Sequence, residues 1–181
     1  YSITNTLLIL FAGGIIIFAL AFIFTALLNS GVKGKKFFRA LIFLPNIVAV
    51  IALTTMWGYI YNPRFGLINA AFKTFGLTDF AKIPWTAPDK IFWAMLVALI
   101  WTYVGFYLVL LMAGVDRIPL DYYEAAKLDG ANQIQMFFTI TLPLLWDVLT
   151  VAVVLWTINT LRLFEFPFAF TALEPVPETY T

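Results

Sequence analysis

Residues 3–28 carry no charged side chain, and that one stretch limits the possible folds more than any other feature. A bilayer core is about 30 Å thick, and a helix needs roughly 20 mostly apolar residues to cross it. Backbone in lipid must also satisfy its own hydrogen bonds, which makes a helix the structure for so long an apolar run. Asn5 and Thr6 stand at its start, where side-chain oxygens cap free N–H groups. Gly13 and Gly14 fall mid-helix, where small residues admit a neighbouring helix. Three further runs are mostly apolar and long enough to cross, at residues 40–61, 91–115 and about 144–164. Pro45 lies one turn into the second, where a kink is tolerable because neighbouring helices can satisfy the freed backbone groups, and Pro143 stands at the start of the fourth, where a missing N–H costs nothing. Trp57, Tyr59 and Tyr61 read as an aromatic belt at the outer end of the second, and Trp93 sits near the outer end of the third.

Composition agrees. Charged residues make up 12% of the chain and hydrophobic ones 62%, against about 25% charged in an average soluble domain. Such a surface suits lipid, and the net charge of +1 offers no field for nucleic acid. The chain has no cysteine and no histidine, which excludes disulfides, thiol nucleophiles, thiolate metal sites and His-based triads. No catalytic residue, metal or cofactor of its own is expected. The spans hold no paired carboxylates, which speaks against a membrane-embedded enzyme. An ion channel would need a selectivity ring or a repeated pore segment, and neither is visible. The expected fold is an all-α membrane protein with four core helices in one transmembrane domain over residues 1–181.

Charge placement gives the sidedness. Lys33, Lys35, Lys36 and Arg39 crowd the first turn, which the positive-inside rule puts in the cytoplasm. Alternation then places residues 62–89 outside, where Leu67, Ala70, Ala71, Phe72 and Phe75 recur at helical spacing and suggest a short amphipathic helix at the membrane surface. Residues 116–141 return to the cytoplasm. The chain opens at Tyr1 without Met or a basic n-region, and no signal peptide is expected. It ends abruptly at Thr181, so part of a longer protein is expected.

Residues 116–141 are the most polar stretch long enough to fold locally. Pro119 suits a first helical turn, Asp121 and Glu124 put negative charge near its positive end, and Gly130 suits a left-handed stop. Asp129 is expected to cap a second short helix from Ala131 to Phe138. Leu120, Tyr123, Ala126 and Lys127 share one side of the first helix, while Ala125 and Ala126 keep it thin. The residues alone allow two readings: a connector tucked against its own bundle, or a helix that docks in a partner's groove.

The run Glu124-Ala-Ala-Lys-Leu-Asp-Gly-Ala131, followed by Phe137, Ile140, Leu142 and Pro143, resembles the EAA signature of binding-protein-dependent ABC permeases. Collinear pieces resemble the sugar-importer branch of the maltose, trehalose and glycerol-phosphate type. They are Asn5-Thr-Leu7, Phe37-Phe-Arg-Ala-Leu-Ile-Phe-Leu-Pro45, Trp57 with Asn62-Pro63, Phe65-Gly-Leu-Ile-Asn69, and Phe164-Glu-Phe-Pro-Phe-Ala-Phe-Thr171. There are departures. The branch has six core helices where four are visible, with one expected before Tyr1 and one after Thr181. A Gly-rich turn usually follows at the position of Ala172-Leu-Glu-Pro-Val-Pro177, and Asp147 stands where a basic residue is usual.

The resemblance implies a type I ABC importer permease in a prokaryotic inner membrane. Its implied partners are two ABC ATPase subunits, which bind ATP and Mg, a second and non-identical permease, an extracytoplasmic solute-binding protein and lipid. The loop 116–141 would be the coupling element, with Tyr123, Glu124, Ala125, Ala126, Asp129, Gly130 and Ala131 at the ATPase. A solute path would combine aromatic rings with neutral hydrogen-bonding groups. The candidates are Trp57, Trp101, Tyr103, Tyr107, Trp156 and Asn159, each with packing as the plainer reading. Arg162 and Glu165 are spaced to meet on one helical face, as a gate or a structural ion pair. A permease for amino acids, phosphate or metals is the nearest alternative.

Overall fold

The computed structural model describes residues 2–29, 32–62, 64–77 and 79–171. All regular structure among the described residues is helical. The first span, α1 (Ile3–Asn29), is one long helix, widened by a π turn at Ile9–Gly13. It is followed by α2 (Lys35–Ile47), α3 (Val50–Ile60) and the short α4 (Leu67–Thr74), then by a 3-10 turn at Phe80–Lys82. The long α5 (Ile91–Val115) leads to α6 (Leu120–Leu128). The chain closes with α7 (Gln133–Leu144), which contains a π turn at Phe137–Thr141, then α8 (Trp146–Leu161) and α9 (Glu165–Thr171). The tail Ala172-Leu-Glu-Pro-Val-Pro177 lies outside the described residues.

The expected third span coincides with α5. The second and fourth do not form the continuous helices expected. Helices α2 and α3 meet at 99°, and α7 and α8 at 69°, so each pair is a broken span or a re-entrant loop. The four expected spans correspond to two long helices and two bent pairs. The second begins at Lys35 rather than residue 40, because the basic turn is already helical. Its break falls at Val48 and Ala49, whose backbones are extended, not at Pro45 itself. Pro45 lacks the N–H that would hold the last turn of α2, so the ladder ends just past it. Pro143 lies near the end of α7, not at the start of a span. The π turn directly before it gives the ladder the extra width a proline ring demands.

Helix α5 is the centre. Most of its residues are buried, including Met95, Ala98, Leu99, Tyr107, Leu108, Leu111 and Met112, while Trp93, Val97 and Trp101 form an exposed stripe. It packs chiefly against α1 and α2, with α8 beside it. Membrane helices gain nothing by hiding apolar side chains from lipid that is equally apolar, so close backbone approach and dispersion hold them. Gly105 supplies that approach: a Cβ there would land on the carbonyl oxygen of Ile42 and within 2.7 Å of Phe43 Cα. Several threonine hydroxyls within the spans are turned back onto their own helices, whereas the buried Thr160 hydroxyl has no hydrogen-bond partner among the described residues. Thr25 donates to the Ala21 carbonyl at 2.7 Å and Thr102 to the Ala98 carbonyl at 2.8 Å, so neither is left bare in lipid.

Sidedness is also visible in the contacts. Lys35 Nζ bonds both Asn29 Oδ1 (2.7 Å) and Asp116 Oδ1 (3.3 Å), which joins the first turn to the start of the polar loop on one face. The aromatic belt at the end of α3 is a partial match: Tyr59 is exposed, whereas Trp57 and Tyr61 are buried against the outer segment and α5. Gly105→Val is expected to force α2 off α5 at a cost of about 1–3 kcal/mol, as overpacking does. It should lower the thermal midpoint of the detergent-solubilised protein by several degrees. Gly13→Ala, whose Cβ would meet only side-chain atoms at 3.3 Å or more, should shift it much less.

Candidate functional site

Helix α6 is built by its two ends. Pro119 is the N-cap with extended ψ, Asp121 lies in the first turn and Lys127 in the last, each charge suiting its end of the dipole. Gly130 adopts φ +81°. The Ala131 N–H reaches back to the Ala126 carbonyl (2.9 Å) and the Gly130 N–H to the Lys127 carbonyl (3.0 Å), the bond pair of a Schellman stop. Asp129 is thereby the C-cap of α6 and does not cap the next helix. That role falls to Asn132, whose Oδ1 accepts from the Gln135 N–H (2.9 Å) while Gln135 Oε1 accepts from the Asn132 N–H (2.8 Å). The second helix accordingly starts at Gln133, not Ala131.

The expected single face of α6 divides. Tyr123 and Ala126 are half-buried toward the bundle, while Leu120 and Lys127 are exposed with Glu124 and Ala125. No residue of α6 is buried. Leu128 is 90% exposed, Leu120 73% and Ile134 71%, so the helix–turn–helix presents apolar side chains outward among acidic ones. One contact holds α6 on α7 and two more hold the ends of the loop region on the neighbouring helices. The Tyr123 hydroxyl meets Thr141 Oγ1 at 2.9 Å on α7. Asp116 pairs with Lys35 of α2. Leu145, at the α7–α8 bend, is fully buried against Gly114 of α5. Composition and spacing gave no sign of the Thr141, Lys35 or Gly114 contacts. The Asn132-x-x-Gln135 spacing of a capping box was legible.

The path candidates fall into two groups. Tyr103, Tyr107 and Trp156 cluster, with ring centroids 6.5 and 6.0 Å from Trp156. The buried Tyr107 hydroxyl faces Asn159 without a partner in hydrogen-bonding geometry. Asn159 is exposed and Tyr103 half-buried, so these two form the accessible edge. Trp156 is buried and its indole N–H donates to the Leu10 carbonyl (2.8 Å) at the π turn of α1, which commits it to packing. Trp57 and Trp101 form a separate edge-on pair at 5.5 Å. Arg162 and Glu165 do not share a helical turn. Arg162 is the C-cap of α8, Glu165 opens α9, and no ion pair joins them among the described residues. Glu165 instead lies near enough to act on Tyr103. On the outer side a cleft of about 560 Å³ opens, lined by Thr55, Tyr59, Asn62, Thr86 and Phe170 and without a charged side chain.

These bent spans and their anchored loop define a membrane permease of the type I ABC importer fold. Residues 15–169 match the family described as the binding-protein-dependent transport system inner membrane component, and the chain belongs to it, as a multi-pass inner-membrane protein. A trehalose/maltose transport system permease of Thermococcus litoralis is 37% identical over 153 residues, 84% of this chain and 51% of that protein. A diacetylchitobiose uptake system permease of Streptomyces coelicolor is 33% identical over 137 residues, 75% of this chain and 39% of that one. The chain thus spans about half the length of such curated relatives. In fold it is similar to a chain of a bacterial ABC transporter involved in alginate import, with a TM-score of 0.83 at 23% identity, over 99% of this chain and 62% of that one.

Gly130 has nothing within 4 Å of a Cβ, so substitution there strains only the backbone. Gly130→Val is expected to cost about 1–2 kcal/mol in the left-handed region, whereas Asn is tolerated there. The readout is amide hydrogen exchange at Ala131. It should speed up in Gly130→Val and stay near wild type in Gly130→Asn.

Proposed function

We propose that this chain forms part of the pore of an ATP-driven importer for a sugar or oligosaccharide. It would be one of two non-identical permeases, above two ATPase subunits and beneath an extracytoplasmic binding protein. The observation that carries this reading is the exposed helix–turn–helix of α6 and α7. It bears the Glu124–Ala131 run, turns apolar side chains outward and is held at the ends of its loop region on the neighbouring helices. Among its own side chains it has no use for that outward surface, which suits a groove in a partner. Glu124 and Asp129 supply polar edges, Ala125 a thin profile, and Gly130 with Ala131 the sharp turn. The permease performs no catalysis, and ATP with its Mg stays on the partner subunits.

In this mechanism ATPase closure displaces α6. Tyr123 passes that displacement to α7 through Thr141, Asp116 to α2 through Lys35, and Gly114 with Leu145 carries it into α5 and α8. The element has two positions, and nucleotide state biases between them at a distance. A solute would meet neutral groups: Asn159 and Tyr103 at the accessible edge, with Trp101 nearby on α5 and the uncharged outer cleft above. Tyr107 and Trp156 would support that edge from behind, while Trp57 backs Trp101. Arg162 and Glu165, unpaired with each other, remain available as separate outer contacts. The named relatives carry trehalose or maltose and diacetylchitobiose, and an uncharged lining suits such cargo.

The test is uptake of radiolabelled maltose, trehalose and chitobiose into proteoliposomes holding the full-length permease with its partners and binding protein. ATP-dependent accumulation of at least one is expected. Gly130→Val should insert normally yet lose most uptake. Uptake that ignores ATP, or a Gly130→Val complex that transports like wild type, sinks the reading.

A further inference from the structure

Tyr61, at the end of α3, sits at a junction that neither the cytoplasmic loop nor the solute edge uses. It is only 3% exposed. Its ring stacks on Trp57 at 5.2 Å and meets Trp85 at 6.4 Å and Phe170 of α9 at 6.3 Å. Its hydroxyl donates to the Ala94 carbonyl of α5 at 3.1 Å. Outward, Trp85 stacks on Phe72 of α4 at 6.2 Å, and Phe72 meets Phe80 at 5.7 Å. Inward, Trp57 meets Trp101 of α5. A ladder of rings therefore runs without a gap from the outer segment to two membrane helices, with Tyr61 as its hub.

The covalent route between the same points is soft. From Asn62 to Lys90 the chain is mostly turns, with α4 and one 3-10 turn as its regular structure among the described residues. Flat rings have few torsions and hold preferred mutual geometries. A contiguous chain of them passes on a displacement that turns would absorb. The outer segment also exposes Phe65, Leu67, Phe75 and Phe80, an apolar surface suited to a docking protein.

We propose that Tyr61 is a positioning residue that makes the outer segment move as one body with α3 and α5, so that a binding protein docking outside acts on the spans. This rests on the importer reading and concerns the opposite end of the molecule from the coupling loop.

The test compares ATP hydrolysis, without and with saturating binding protein, by the full complex in nanodiscs. Tyr61→Leu is expected to keep its basal rate and lose about fivefold of the stimulation, within the span seen for coupling mutations. Tyr61→Phe keeps the rings and should keep the stimulation. Trp85→Leu, one ring further out and only half-buried, should repeat the loss, and it decides the matter if Tyr61→Leu fails to assemble. Wild-type stimulation in both leucine variants, or basal and stimulated rates falling together, overturns the inference alone. A wild-type complex that the binding protein does not stimulate overturns the importer reading and this inference with it.

Discussion

Helix α5 is buried over most of its surface, with Trp93, Val97 and Trp101 left as an exposed stripe, and α2 reaches it closely because residue 105 has no side chain. In lipid, where burying an apolar group gains little, contact has to come from backbones that approach closely. The Gly105 crossing supplies it where the Ile42 carbonyl lies against α5. The rest is arranged around that crossing. Helix α1 lies along α5, and α8 leans on both through the Trp156 indole and the Leu10 carbonyl. The half-helix α3 is free to bend away only because α2 is already seated.

Two of the four expected spans are broken, and broken helices in a membrane leave backbone groups that need partners. The elbow at Val48 and Ala49 is exposed in the isolated chain. Exposed extended backbone at such a bend suits a neighbouring protein or a water-filled space better than lipid. The α7–α8 elbow is managed differently, with Leu145 buried against Gly114. One bend is therefore locked within this chain and the other is open to something beyond it.

Much of this was legible in the sequence where a single physical rule acts alone. The ends of α5 were readable because charge brackets the apolar run, with Lys90 before it and Asp116 after it. Gly130 was readable because few residues besides glycine stop a helix in the left-handed region. The failures came where two rules compete. Pro45 was a plausible kink, yet the break fell beyond it, on two ordinary apolar residues. Asp129 and Asn132 both suit an N-cap, and the Schellman stop consumed the first of them. Arg162 and Glu165 have helical spacing, but the helix ends between them, and hydropathy does not reveal that end. Trp57 and Tyr61 carry the residue types of an interfacial belt, and only the folded outer segment shows that they are covered.

The inner and outer devices share one feature, which is that both end on α5. Gly114 and Asp116 at its inner end take up the loop, and Ala94 and Trp101 nearer its outer end take up the ring ladder. Helix α5 is a long unbroken helix, while its neighbours α2–α3 and α7–α8 are bent. The inner contact is the exposed Lys35–Asp116 pair and the outer one is the buried Tyr61 hydroxyl on the Ala94 carbonyl. That arrangement needs no catalytic residue inside the membrane. It needs one unbroken helix and two bent pairs, with α6 and the outer segment as the handles by which partners could grip them.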